Sequence, residues 1–479
     1  MSGNFSNAGT FTLNSDSNEF SSIIIGGTVT GNISYNRYVN SVGTNEWDLI
    51  GAPVSGQSIN SFVTANTSTL ATNGATKAIG YYNNTDNTWT NYTTSTIVGA
   101  GNFPLGKGFQ MATNANGTGI LSFTGAPTAT NQTWTIIDND AANSGAGTRW
   151  NLVANPFPSY IYGNANADSS HNFLTVNSDK LNDSYEAIYG YDADGSGYTV
   201  YNNTSAALRL APGQAFMVAS DNAENDTISF TTAMRTTTGG DDLIVGRDPI
   251  DSFELVLKLY EGDSEIDHTK FYFGDGLGLD LDPGYDAGHF NQGASLMSRL
   301  VEEDEGVGLV INAMGIESAN DVVVPIELNR EAGNNFRISI GTFNIDTAIN
   351  VYLEDNVQET MTLLNDQDFE LIAENELSGV GRFFIHLTET VLSIDDKIET
   401  NYLNVFKADV NNFITVEGLA NQSNLTKLRL YTIHGKEVIS ATLNNNNKQM
   451  ISTQGLSSGI YIVKLDSGNI LLTKKLFVK

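Results

Sequence analysis

The sequence predicts an all-β protein of tandem β-sandwich domains, jelly-roll or Ig-like, and three observations predict it. Apolar segments are short, aromatic or β-branched, and often alternate with polar residues, as in Trp150-Asn151-Leu152. Clusters such as Asn83-Asn84-Thr85-Asp86-Asn87 separate them, the pattern of strands joined by polar turns. No dozen consecutive residues of the first half keep a helical apolar period, and that half repeats itself.

Residues 1–43 read as strands continuing from an upstream region, with Ser22-Ile23-Ile24-Ile25-Gly26-Gly27 as a short buried run. Residues 44–146 and 147–240 read as two copies of one unit. Trp47-Asp48-Leu49-Ile50-Gly51-Ala52-Pro53 returns as Trp150-Asn151-Leu152-Val153-Ala154-Asn155-Pro156. Four more segments return in order, among them Ala78-Ile79-Gly80-Tyr81 as Ala187-Ile188-Tyr189-Gly190-Tyr191 and Gly108-Phe109-Gln110 as Ala215-Phe216-Met217. Collinear matches of this kind mark a duplicated domain. Residues 241–389 read as a second, antiparallel sandwich. Its strands are Phe253–Leu259, Val322–Leu328, Phe336–Ile340, Asn350–Leu353 and Arg382–Leu387, with a short helix expected around Ser295–Leu300.

Charge supports these divisions. The 479 residues hold 24 Lys+Arg and 54 Asp+Glu, a net of −30. Residues 390–479 carry 10 basic and 7 acidic side chains, residues 241–389 carry 7 and 31, and the first 240 carry 7 and 16, sparsely charged and rich in Asn, Thr, Ser and Gly. A surface this acidic repels a nucleic-acid backbone. The absence of cysteine excludes disulfides, thiolate-bound zinc and thiol catalysis. No run of 18 apolar residues marks a membrane span. The opening Met1-Ser2-Gly3-Asn4-Phe5 has neither the basic nor the apolar region of a signal peptide.

The last 90 residues carry the most specific pattern. Leu428-Arg429-Leu430-Tyr431 and Glu437-Val438-Ile439 flank a turn containing Gly435 and Lys436. Gly459-Ile460-Tyr461-Ile462-Val463 follows, and the chain ends on Lys474-Lys475-Leu476-Phe477-Val478-Lys479. This combination resembles the type A C-terminal sorting domain of the type IX secretion system of Bacteroidota. One departure is Asn401-Tyr402-Leu403-Asn404 in place of the common Tyr-Pro-Asn-Pro. The resemblance implies a seven-stranded Ig-like sandwich read by the outer-membrane translocon and its shuttle barrel protein. It implies a sortase that removes the domain and links the cargo to anionic lipopolysaccharide. It makes Gly435, Lys436, Gly459, Ile460, Tyr461, Lys474, Lys475 and Lys479 the candidate sorting signal. Such cargo crosses the inner membrane with a Sec signal, so the chain is expected to be the C-terminal piece of a longer precursor or to have a mis-assigned start. Thr269-Lys270-Phe271-Tyr272-Phe273-Gly274 resembles a domain that commonly precedes such tails, and Trp150–Pro158 resembles modules of large flavobacterial surface proteins.

Few motifs carry chemistry. Gly101-Asn102-Phe103-Pro104-Leu105-Gly106-Lys107 spells a phosphate loop, but Gly108 stands where the magnesium-binding hydroxyl belongs, so it reads as a turn. Asp192-Ala193-Asp194-Gly195 has the start of a calcium loop without its closing Glu and reads as a hairpin turn. Asp275, Asp280, Asp282 and Asp286 crowd a Gly/Pro-punctuated loop; they are candidate calcium ligands, the alternative being a plain acidic loop. The five histidines share no metal-ligand spacing, there is no His-Glu-x-x-His, and no enzyme is expected. Of the four tryptophans, Trp47 and Trp150 lead alternating strands and read as core, whereas Trp89 in a polar region is the candidate glycan contact. Asp226-Thr227-Ile228 and Asp346-Thr347-Ala348 resemble Bacteroidota O-glycosylation sequons, making Thr227 and Thr347 candidate acceptors. A secreted surface protein follows as the expectation. Residues 1–389 would act as structural or adhesive units meeting a glycan or protein ligand; the alternative is a carbohydrate-binding region of a larger adhesin or glycan-degrading enzyme.

Overall fold

The computed structural model describes residues 3–42, 47–115, 117–140, 147–192, 197–221, 225–240, 253–290, 293–389, 402–407, 412–422, 424–446, 448–468 and 470–478. They form two compact units, 1–250 and 251–479, and β-strands dominate both.

In the first unit, β1 (Ile33–Tyr38), β2 (Asp48–Ile50), α1 (Ile59–Ala65), β3 (Thr76–Asn83), β4 (Thr88–Thr93), β5 (Phe109–Met111) and β6 (Ile120–Pro127) build the first repeat. The sheet β2-β5-β3-β4 covers one side of the core, and β1 pairs antiparallel with β6 on the other. The second repeat follows with β7 (Gln132–Ile136), β8 (Trp150–Ala154), α2 (Phe173–Asn177), β9 (Ile188–Asp192), β10 (Gly197–Tyr201), β11 (Ala215–Ala219) and β12 (Asp226–Phe230). Its sheet β8-β11-β9-β10 repeats that order, the first sheet carrying one extra short strand, Thr72–Asn73, against β3, and β7 pairs with β12 as β1 does with β6. Pairing therefore places residues 33–38 inside the first repeat and 132–136 inside the second, where the sequence boundaries had put them one unit earlier.

The helices fall at equivalent places and are too short to leave a period of their own. Ser58 caps α1 by accepting from the Ser61 N–H, and Asn172 caps α2 by accepting from that of Thr175. Each helix is then clasped to the last strand by one asparagine. Asn66 donates to the Ser122 carbonyl and accepts from its N–H, and Asn177 does the same with Ser229. Alternation puts Ile79, Phe109 and Met111 into the first core beside Phe62, Phe103 and Phe123. Phe173, Phe216, Val218 and Phe230 occupy the second.

The two repeats meet along a seam that reads the same from either side. The Gly51 N–H donates to the Gly213 carbonyl (2.8 Å), and that of Ala154, its repeat equivalent, to the carbonyl of Gly106, the equivalent of Gly213 (2.9 Å). The bridges Ile50 to Gln214 and Val153 to Lys107 obey the same interchange. This is the self-complementary contact of a two-fold dimer, built within one chain. Buried Arg37 fastens it by donating to the Pro212 carbonyl (3.1 Å) and to Gln214 Oε1 (3.3 Å).

In the second unit, β13 (Glu254–Glu261), β14 (Ser264–Gly274), β15 (Ser295–Ser298), β16 (Leu309–Gly315), β17 (Asp321–Asn329), β18 (Asn335–Asn344), β19 (Asn350–Asp355), β20 (Thr360–Leu363), β21 (Phe369–Ile372) and β22 (Phe383–Thr388) form one sheet. Its order is β20-β19-β22-β17-β15-β16-β14-β13-β18-β21, with Ala287–Gly288 added against β16. Two expectations are corrected. Ser295–Ser298 is a strand, because every one of its four residues is buried and it is held by β17. The sheet is mixed rather than antiparallel, since β14 and β16 run parallel.

The chain ends in β23 (Asn404–Phe406), β24 (Phe413–Glu417), β25 (Thr426–Thr432), β26 (Glu437–Leu443), β27 (Lys448–Ser452), β28 (Gly459–Asp466) and β29 (Leu471–Val478). A three-stranded sheet β23-β24-β27 and a four-stranded sheet β26-β25-β28-β29 enclose Val405, Ile414, Val416, Leu428, Leu430, Val463 and Val478. Seven strands in two sheets are the expected Ig-like sandwich.

Candidate functional site

The C-terminal module gathers most of the expected signal. In the hairpin between β25 and β26 the Gly435 N–H donates to the Thr432 carbonyl (2.8 Å), and that of Thr432 to the Lys436 carbonyl (2.9 Å). Gly435 takes the left-handed conformation (φ +78°) that this turn requires, and Lys436 is exposed beside it. Gly459 and Ile460 open β28, which lies between β25 and β29. Ile460 points to solvent, and Tyr461 points inward with its hydroxyl donating to the Ser457 carbonyl (2.8 Å). Along β29 the side chains alternate: Leu471, Thr473, Lys475 and Phe477 face solvent, while Leu476 and Val478 enter the core.

Lys474 departs from the expected basic end. Its ammonium turns away from Lys475, donates to the Asp304 carbonyl (3.0 Å) and pairs with Glu305 (3.1 Å) of the acidic sandwich. The two lysines are adjacent in sequence and opposite in use, because successive strand residues point to opposite faces. Lys479 lies outside the described residues.

The acidic loop is built around its last carboxylate. Asp286 is fully buried, with Oδ1 accepting from the Ala313 N–H and Oδ2 from that of Asp282, both at 2.7 Å. Burial pushes its carboxyl up to about 7 against the downward pull of those two donors. Asp282 turns the other way to accept from the Gly278 N–H (2.8 Å), and Asp275 and Asp280 are exposed. Among the described residues no group of three or more His, Cys, Asp or Glu side chains is disposed to hold a metal ion. Of the second calcium-like run, residues 193–196 lie outside the described residues.

On the first unit Trp89 is 38% exposed and packs against Tyr82 across β4 and β3, ring centroids 5.2 Å apart. The equivalent pair of the second repeat is Tyr191 and Tyr198, at 5.3 Å. Trp47 covers the alanine cluster Ala71, Ala78 and Ala112, and Trp150 packs on Tyr189 and Tyr185. The phosphate-loop spelling ends at Lys107, whose ammonium lies 5.1 Å from the Tyr81 ring and 5.5 Å from Phe109; burial lowers its proton affinity. A strand and not a helix follows it, as a turn requires. Thr227 and Thr347 are exposed.

One feature had no sequence signal, and one motif present in the sequence is placed by the fold where it cannot act. His386 is buried and paired to Glu354 at 2.7 Å on the neighbouring strand. Gly455-Leu456-Ser457-Ser458-Gly459 spells a nucleophile elbow, yet it leads into β28 and not into the helix that an elbow needs.

Two family models match the chain. Residues 3–386 match the model of a domain of unknown function, DUF8693, which spans both repeats and the acidic sandwich. Residues 408–479 match the secretion system C-terminal sorting domain. Comparison with curated proteins found no match. Among the described residues no helix is long and apolar enough to cross a membrane. The sorting tail marks the chain for delivery by the type IX system to the cell surface or beyond. The chain belongs to the DUF8693 domain family and is a type IX secretion cargo protein, with its sorting domain at the C-terminus.

Proposed function

We propose that residues 1–389 act as a structural and adhesive unit displayed at the cell surface, contributing no catalysis, with the tail serving only for delivery. The observation that carries this reading is the seam between the repeats. Its interchangeable hydrogen bonds weld two sparsely charged, Asn- and Thr-rich domains into one body, which suits a spacer or display surface. Fusing residues 390–479 to a Sec-exported reporter should bring the reporter to the cell surface; retention in the periplasm would count against the tail's role in delivery.

A second reading, glycan binding, is favoured by the exposed Trp89 ring packed beside Tyr82. Aromatic faces flanked by amides and hydroxyls suit sugar rings, and Asn91 and Gln110 hydrogen-bond to each other on the same sheet. A glycan array probed with the full chain decides between them. If glycans are the ligand, Trp89→Ala should weaken binding roughly tenfold while leaving the unfolding transition in place. An array without signal returns the role to the structural reading.

A further inference from the structure

The loop after β15 joins the acidic sandwich to the sorting module through a buried ionic cluster. Arg299 is 1% exposed. Its guanidinium holds Asp304 on two nitrogens (3.1 and 3.0 Å) and Glu327 on a third (3.0 Å), all within the sandwich. The same nitrogen lies 3.2 Å from Glu417 of the sorting module, itself 1% exposed, and the Phe406 ring lies 5.6 Å away. From the module, the Tyr402 hydroxyl donates to Asp304 Oδ2 (2.8 Å), Asn404 Nδ2 donates to the same carboxylate oxygen (3.0 Å), and Lys474 reaches the Asp304 carbonyl. Gly306 completes the fit, since a β-carbon there would stand 2.2 Å from the Phe406 ring.

We propose that the Arg299–Gly306 face of the acidic sandwich is a docking site for the sorting module of the same chain, and that the module stays seated on it after the peptide joining residues 389 and 402 is cut. Three observations carry this. The contacts come from three separate strands of the module, β23 with its leading edge (Tyr402 and Asn404), β24 (Glu417) and β29 (Lys474), so they are not the residue of a tether. The central charges are fully desolvated, the condition under which ion pairs dominate dissociation rates. The charge also matches, because a domain with 31 acidic and 7 basic residues meets a module with 10 basic and 7 acidic. The seat closes Lys474 to any other partner and leaves Lys475, Phe477 and Ile460 on the free side. Hydrolysis of the connecting peptide alone would then not release the tail.

The test uses the full chain with a specific protease site placed between residues 390 and 401. After cutting, gel filtration at about 1 μM should show both fragments in one peak. The variant carrying Tyr402→Phe and Lys474→Met, checked by circular dichroism for a folded module, should release the module about tenfold faster or more. Lys475→Met should release it no faster than the unaltered chain. Separation of the unaltered fragments overturns the proposal, and so does equal retention by the double variant or equal loss by Lys475→Met.

Discussion

Replacing Arg299 by methionine should cost the 251–479 unit about 3–5 kcal/mol, a fall of about 10 °C in its melting temperature. Burial alone would favour loss of the guanidinium's proton, but Asp304 and Glu417 outweigh it and hold the charge. Methionine fills similar space and removes that charge, leaving buried Asp304 and Glu417 and half-buried Glu327 without their shared cation, with Lys448 still on Glu417 (3.1 Å). Lysine at 299 keeps a charge without the fork that grips Asp304 on two nitrogens, so Arg299→Lys should fall between methionine and the unaltered chain. Adding Glu417→Gln to Arg299→Met should recover part of the loss, since one of the carboxylates that faced the guanidinium is neutralised. All four tryptophans lie in residues 1–250, so their fluorescence reads the other unit. The shift should therefore appear in far-ultraviolet circular dichroism or calorimetry and not in tryptophan emission. A loss under 1 kcal/mol would show that water reaches these carboxylates and that they are not buried as described.

Much of this fold was legible because strands with one solvated face alternate. Phe253–Leu259 and Val322–Leu328 could be placed from sequence for that reason. Ser295–Ser298 could not, because all four residues are buried and a fully buried strand loses its alternation. The repeat was legible as a self-match, but its edges were not. β1 and β7 have diverged, with Arg37 in one where Trp134 stands in the other, judged from their pairing to Leu121 and Ile228. In the candidate site, the Gly435 turn was visible because positive φ favours glycine. The division of labour between Lys474 and Lys475 was invisible, since it depends on a loop 170 residues away. Spacing likewise grouped Asp286 with three other carboxylates, and only the fold shows that its oxygens are engaged by the Ala313 and Asp282 N–H groups. Arg299 left no trace in the sequence, because Glu327, Glu417 and Phe406 are brought to it only by tertiary structure.

Placing valine at Gly51 should destabilise the 1–250 unit by about 3 kcal/mol, at the upper end of overpacking costs. Gly51 and Ala154 are equivalent residues of the two repeats, and the two-fold relation sets them against each other. A β-carbon on Gly51 would stand 2.3 Å from that of Ala154 and 2.8 Å from the Lys107 carbonyl oxygen. The seam thus has room for one β-carbon where symmetry would bring two. Neither obstacle can swing aside, since one is a methyl fixed to the backbone and the other is the backbone itself, while the Gly51 N–H is tied to Gly213. Alanine at 51 should cost less than valine, about 1–2 kcal/mol. Combining Gly51→Ala with Ala154→Gly removes the methyl clash and keeps the carbonyl one, so the pair should be more stable than Gly51→Ala alone without regaining full stability. Urea unfolding followed by tryptophan emission reads this directly, through Trp47, Trp89, Trp134 and Trp150. If Gly51→Val unfolds at the same urea concentration as the unaltered chain, the repeats are not welded along this seam, and the rigid display body built on it goes with it.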